Sequence, residues 1–355
     1  MCESKVCIIT TCNLKYAPYV KLYTDILDKI NVKYDLVTWN KNNLSENIKY
    51  SYCGKKNDGK MIKSFFQYIG FGRFLDRIMQ KNDYSQLIVC NPAPLLFVKR
   101  KTIKKYNKRF VWDIRDDTPI RKYFKRRFLQ ICNCASFIVS SSKRYEEWIE
   151  HPVIMSHNAN KGMLLNYWDY LPKKRMDCSC LRILNAGKMI ESQENIRVLD
   201  ALKNSDEYIF SYYGSDVPGK INLMNHCKTH NISNVSFMGT YNKDDIVSIY
   251  RTKADLINIL RENTVVNKNA LPNKFYESVI AGIPLVVYEH NTAISEYVNK
   301  YYLGIVLKDT SEVAKIKELY MLFDFDRYAQ GRNQFLKAVL RDIENFEASI
   351  RNFVA

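Results

Sequence analysis

Short apolar runs rich in β-branched and aromatic residues alternate along this chain with longer segments whose apolar positions recur at helical spacing. Residues 5–10 (KVCIIT) read as a strand. Residues 19–30 follow with Val20, Tyr23, Ile26, Leu27 and Ile30 on one helical face, and 34–39 close a βαβ unit. An amphipathic segment at 60–79 leads into a strand at 86–90, and a helical one at 95–106 into a strand at 109–114. Segments 119–131, 136–140, 143–149 and 153–157 complete a parallel α/β half. The second half repeats the rhythm, with strands at 181–186, 207–213, 235–238, 255–260, 285–288 and 303–307 and long helical patterns from about residue 312 onward.

The alternation predicts an α/β protein of two Rossmann-like, doubly wound domains with an interdomain cleft at the carboxyl ends of the strands. Residues 1–168 form the first domain and 169–180, charged and aperiodic, the linker. Residues 181–325 form the second domain, and 326–355 a C-terminal helix with the option of packing back on the first.

The stretch 270–298 carries the strongest local signal. Leu271-Pro272 forces an extended entry, Asn273 is placed to cap a helix of about two turns, and Ala281-Gly282 with Pro284 ends it ahead of an apolar strand. Lys274 falls in the first turn, where the helix macrodipole disfavours a cation unless an anion sits between them. Glu277, one turn on, shares its face and would reach a hydroxyl pair beside that anion. Phosphate plus diol describes a nucleotide; a solvated lysine and a surface carboxylate are the alternative. Gly187-Lys188 ends the first strand of the second domain, where glycine lets the backbone approach a phosphate and lysine offsets a diphosphate's charge. Gly214 is a second strand-end glycine. Arg115-Asp116-Asp117 follows a first-domain strand at its carboxyl end, and either aspartate also suits a helix N-cap.

Loop, basic residue, Glu, Ala-Gly-x-Pro and strand together resemble the donor-sugar motif of the group 1 (family 4) glycosyltransferases of GT-B fold, in particular those of bacterial surface and capsular polysaccharides. Asn185-Ala186-Gly187-Lys188, Tyr213-Gly214-Ser215, residues 234–239, Tyr250 and Asp255 follow the family's order, so the resemblance covers about residues 181–307. It implies that Glu277 holds the nucleotide ribose. The sugar-contacting Glu eight positions earlier is replaced by Asn269, and the loop Asn269, Leu271, Pro272, Asn273 would face the sugar. Lys188 matches one half of the family's diphosphate clamp; Gln193 stands at the other, leaving that share to Lys274. Arg115-Asp116 resembles the family's His-Asp or Arg-Asp step near the transferred sugar. The resemblance further implies retention at the anomeric carbon, no cofactor beyond a nucleotide-diphosphate sugar as co-substrate, no metal, and a growing glycan, in particular a lipid-linked one, as acceptor.

At 355 residues with 46% hydrophobic content the chain can bury two cores and is not disordered. Its ten cysteines lack metal-ligand spacing. Of the net charge of +17, residues 99–127 hold thirteen basic and three acidic side chains, hence +10. Within them 119–131 reads as a basic amphipathic helix, with Arg121, Lys122, Lys125 and Arg126 opposite an apolar face. Such a helix lies on an anionic membrane, or packs on a core with its basic face solvated. No apolar run spans a membrane and no signal peptide precedes the first strand, so the expectation is a cytoplasmic protein, peripheral at the inner face of the cell membrane. The region lacks a nucleic-acid motif, and no nucleic acid is expected as partner. The rival reading is a non-catalytic basic scaffold or nucleic-acid-binding protein on a degenerate transferase fold.

Overall fold

The computed structural model describes residues 6–54, 61–117, 120–159, 161–172, 179–189 and 192–355. Part of the expected linker (173–178, with Cys178) and Pro119 lie outside them. The chain divides into two compact units, Met1–His157 with Asp342–Ala355, and Asn158–Arg341. The second begins ahead of the expected linker, and the last turns of the C-terminal helix Phe325–Val354 belong to the first.

The first unit is built on β1 (Val6–Ile9), β2 (Tyr34–Asn40), β3 (Tyr50–Cys53), β4 (Gln86–Cys90), β5 (Phe110–Ile114), β6 (Phe137–Ser140) and β7 (Val153–Met155), ordered β3-β2-β1-β4-β5-β6-β7. Every pairing is parallel, with Val6 opposite Tyr34 and Gln86, and Val111 opposite Phe137. The central strands β1 and β5 are buried without alternation because both faces are covered, and apart from Asp113 in β5 they are apolar. One face packs Trp39, Phe71, Leu75, Trp112 and Phe128. The other packs Val20, Tyr23, Ile26 and Leu27 against Phe346, Ile350 and Val354 of the last helix.

The second unit contains β8 (Leu181–Ala186), β9 (Tyr208–Tyr213), β10 (Val235–Met238), β11 (Leu256–Asn258), β12 (Leu285–Tyr288) and β13 (Gly304–Leu307), ordered β10-β9-β8-β11-β12-β13 and again all parallel. The order reverses between β8 and β11, which is where an open α/β sheet leaves a crevice at its carboxyl edge. At the opposite, amino edge the same two strands are joined by Arg182, whose guanidinium grips the buried Asp255 carboxylate at 2.6 and 3.0 Å. Asp255 is therefore a fastening of the sheet.

Two expected helices are broken. Residues 95–106 divide into Ala93–Leu96 and Arg100–Lys105, because Asp76 draws the Lys99 N–H out of line at 3.1 Å and also accepts from Thr102 Oγ1 at 2.7 Å. It caps the second piece from a helix twenty-three residues earlier. Residues 119–131 become Ile120–Tyr123 and Lys125–Cys134, broken at Phe124, whose ring packs among Phe65 and Phe97. Among the described residues no helix is long and apolar enough to cross a membrane.

Candidate functional site

The carboxyl edge of the second sheet is shaped by two glycines that no other residue replaces easily. Gly187, at the end of β8, has φ +111° and donates its N–H to Tyr213 O at 3.0 Å. Gly214, after β9, has φ +143°, and a Cβ there would stand 2.3 Å from Gly187 O. The two turns nest backbone against backbone. Lys188 follows, exposed at the same edge.

The nest is locked from below by a residue that the sequence did not single out. Lys220, in the first turn of the helix Pro218–Thr229, is 3% exposed; its Nζ donates to Gly214 O at 2.8 Å and Met238 O at 2.6 Å and pairs with Asp216 at 3.0 Å. Its charge is spent on the protein's own carbonyls.

Opposite stands the helix Asn273–Ala281. Asn273 does not cap it. The capping position is Pro272 in an extended conformation with no side-chain bond, and Asn273 is the first, exposed helical residue. Proline at that position fixes the entry by geometry and has no polar side chain with which to cap the first turn. Leu271 is buried, and its carbonyl accepts from Asn158 Nδ2 at 3.1 Å. Lys274, half-buried, donates to Asn185 Oδ1 at 2.9 Å, which brings its ammonium to the end of β8. Glu277 lies one turn along, also half-buried, with the Tyr250 hydroxyl at 3.5 Å. Burial pushes its carboxyl above the ordinary range against the pull of the Lys274 and Lys243 charges, and Tyr241 is raised to about 12 by burial and by Glu277. Asn269 lies in a further helix, Val265–Asn269, and turns its amide onto Val265 O at 3.2 Å.

The other end of this helix is held by arginines. Gly282 closes it in the left-handed conformation, φ +72°, as its sequence predicts. Arg332, 4% exposed, donates to Val279 O at 2.7 Å and Ile280 O at 2.9 Å, and also to Tyr167 O and Trp168 O at 2.8 and 3.0 Å. Arg251 adds a bond to Ala281 O at 3.1 Å. Cations at the C-terminus complement the macrodipole, and the positive end is left facing the β8 edge.

In the first unit Arg115 is buried. Its Nε lies 2.8 Å from Asp113 Oδ2, which also accepts from the Tyr23 hydroxyl at 2.8 Å, and Nη2 donates to Ser156 Oγ at 2.7 Å. Burial is the largest influence and pulls its pKa down, but the Asp113 charge and hydrogen bond together with the neighbouring Tyr23 and Cys90 hold the guanidinium above its usual range. Asp116 keeps an exposed side chain although the protein crowded round it raises its carboxyl. Arg121 forks onto Asp117 at 2.6 and 3.0 Å and stacks on Trp148 at 3.9 Å; Lys125 pairs with Glu150 at 2.9 Å. Lys122 and Arg126 stay exposed, beside Tyr123 at 81% exposure.

No protein-family model matches the chain, and no curated protein sequence matches it. Solved structures do. Sucrose-phosphate synthase from Thermosynechococcus elongatus superposes with TM-score 0.70 at 12% identity over 98% of both chains. The apo lipopolysaccharide outer core galactosyltransferase WaaB gives 0.64 at 12% over 98% of this chain and 99% of that one. A glycosyltransferase from Rickettsia africae ESF-5 gives 0.64 at 12% over 100% and 99%. The chain has the GT-B fold. Within the GT-B architecture Gly187, Gly214, Lys188, Lys274 and Glu277 all lie in the second unit. Gly187, Gly214 and Lys188 sit at the carboxyl edge of its sheet, and Lys274 reaches it through Asn185.

Proposed function

We propose that this protein is a glycosyltransferase that takes its sugar from a nucleotide-diphosphate donor. The observation that carries the reading is the helix Asn273–Ala281: its cation-capped C-terminus, a proline in place of a capping side chain at its amino end, Lys274 tied to the end of β8 and a desolvated Glu277 one turn on. Lys274 and Lys188 offset the diphosphate charge, and the nested glycines let its oxygens approach the backbone. Glu277 accepts from the ribose hydroxyls. Asn269, Leu271, Pro272 and Asn273 lie on the sugar side of that arrangement, and Arg115 and Asp116 belong to the acceptor unit. Transfer proceeds with retention, to be read from the anomeric coupling of the product.

The acceptor in this reading is a growing glycan on a lipid carrier of bacterial surface polysaccharide, reached from the cytoplasmic face of the membrane. Its support is the first-unit patch of exposed Tyr123 and Phe66, the latter's ring next to Phe65 and so to Phe124, with Lys122 and Arg126 alongside. The test is binding of UDP and GDP by calorimetry: Lys274→Ala and Glu277→Ala should each weaken the tighter one at least tenfold, about 1.4 kcal/mol. Undiminished affinity in both variants removes the assignment.

A further inference from the structure

At the point where the second sheet reverses, three buried asparagines from three elements join in one chain of hydrogen bonds. Asn258, the last residue of β11, accepts the Leu260 N–H on Oδ1 at 2.9 Å, so its Nδ2 has to face inward, where it donates to Asn195 Oδ1 at 3.2 Å. Asn195 lies in the first turn of the helix Gln193–Ala201, and the same Oδ1 accepts from Asn185 Nδ2 at 3.4 Å. With its amide nitrogen so engaged, Asn185 presents Oδ1 to Lys274 Nζ at 2.9 Å. An amide is a donor on one side and an acceptor on the other, so the orientation of each member dictates that of the next. The series starts from a backbone N–H, whose polarity cannot invert. Asn185, Asn195 and Asn258 are all under 9% exposed, so water does not compete freely for these bonds.

We propose that Asn195 is a positioning residue for the diphosphate cation: by accepting two amides at once it keeps the oxygen of Asn185 turned toward Lys274 and so holds that ammonium at the β8 edge. The inference rests on the nucleotide reading of the site and adds to it what aims the lysine. It separates two chemically identical substitutions. Asn195→Asp still accepts from both neighbours and preserves the polarity. Asn258→Asp keeps the Leu260 bond but faces Asn195 with an oxygen; Asn195 must then offer its nitrogen, Asn185 loses its acceptor, and its amide is released to turn its own nitrogen to Lys274.

The experiment titrates the full-length chain with UDP and GDP, with the unliganded melting temperature of each variant recorded alongside. Lys274→Ala is expected to bind at least tenfold more weakly than the parent, Asn258→Asp five- to tenfold more weakly, and Asn195→Asp within twofold. If Asn258→Asp does not fold, Asn195→Leu against Asn195→Asp makes the same comparison, with the loss expected in the leucine variant alone. A Lys274→Ala variant that binds as the parent does overturns the nucleotide reading and this inference with it. Loss in Lys274→Ala together with equal affinities in the compared pair overturns the inference alone.

Discussion

Arg332→Met should loosen the helix on which the proposed site depends. The guanidinium donates four hydrogen bonds of 2.7–3.0 Å to the carbonyls of Val279, Ile280, Tyr167 and Trp168. At about 1.5–3 kcal/mol for each bond to a charged group, the gross contribution is about 6–12 kcal/mol. Burying the cation works against this, as the lowering of the Arg332 pKa by burial shows, and several kcal/mol of desolvation have to be subtracted. Methionine restores the packing of the stem but takes the charged donor from all four carbonyls, of which Val279 O and Tyr167 O keep a backbone N–H at 3.1 and 3.3 Å, so the net loss should be about 3 kcal/mol. For a unit of this length that lowers its melting transition by about 6–12 °C. Arg332→Lys keeps the charge but concentrates three donors on one atom, which cannot span four carbonyls, and should recover less than half. Differential scanning calorimetry, with and without nucleotide to mark the second unit's transition, reads the effect. A Met variant that melts within about 2 °C of the parent, or a Lys variant that matches the parent, would refute the capping argument.

Glu277→Gln should stabilise the unliganded protein near pH 7–8 by on the order of 1 kcal/mol or less, read as a higher melting temperature, while weakening nucleotide binding. The folded-state pKa lies above the unfolded one, so the stability linked to Glu277 is fully present below the unfolded pKa and is lost as pH rises through the folded value. The gain should therefore shrink on acidification, and a glutamine variant that melts lower at pH 8 would contradict it. On the membrane side, flotation with vesicles containing anionic phospholipid should retain the parent and lose a Lys122→Glu, Arg126→Glu, Tyr123→Ser variant. Equal flotation, or binding of a single-stranded oligonucleotide in preference to vesicles, would favour the rival scaffold.

The β–α alternation was legible because a parallel strand covered on both faces is a nearly continuous apolar run: VCII and LVVY, and FVWDI with Asp113 alone interrupting it, stand out without any knowledge of their neighbours. The edge strand β3, Tyr-Ser-Tyr-Cys, is half-exposed and has no such run, so it passed unseen. The broken helices failed for a different reason. Asp76 and the ring cluster around Phe124 act on segments far away in the chain, and periodicity within a window carries no trace of them.

The same division runs through the site, where Gly187, Gly214, Lys274 and Glu277 are visible from their own surroundings, as strand ends and a helix start. Lys220, Arg332 and the bond network through Asn195 are defined by partners up to 165 residues distant. Lys220 and Lys274 are the same residue, each in the first turn of a helix. One is surrounded by its own carbonyls and neutralises nothing foreign. The other reaches the neutral amide oxygen of Asn185 at the end of β8, beside an N-terminus whose opposite end is bonded by arginines, and in the nucleotide reading this difference in what each ammonium faces leaves Lys274 an anion to bind and Lys220 a turn to hold.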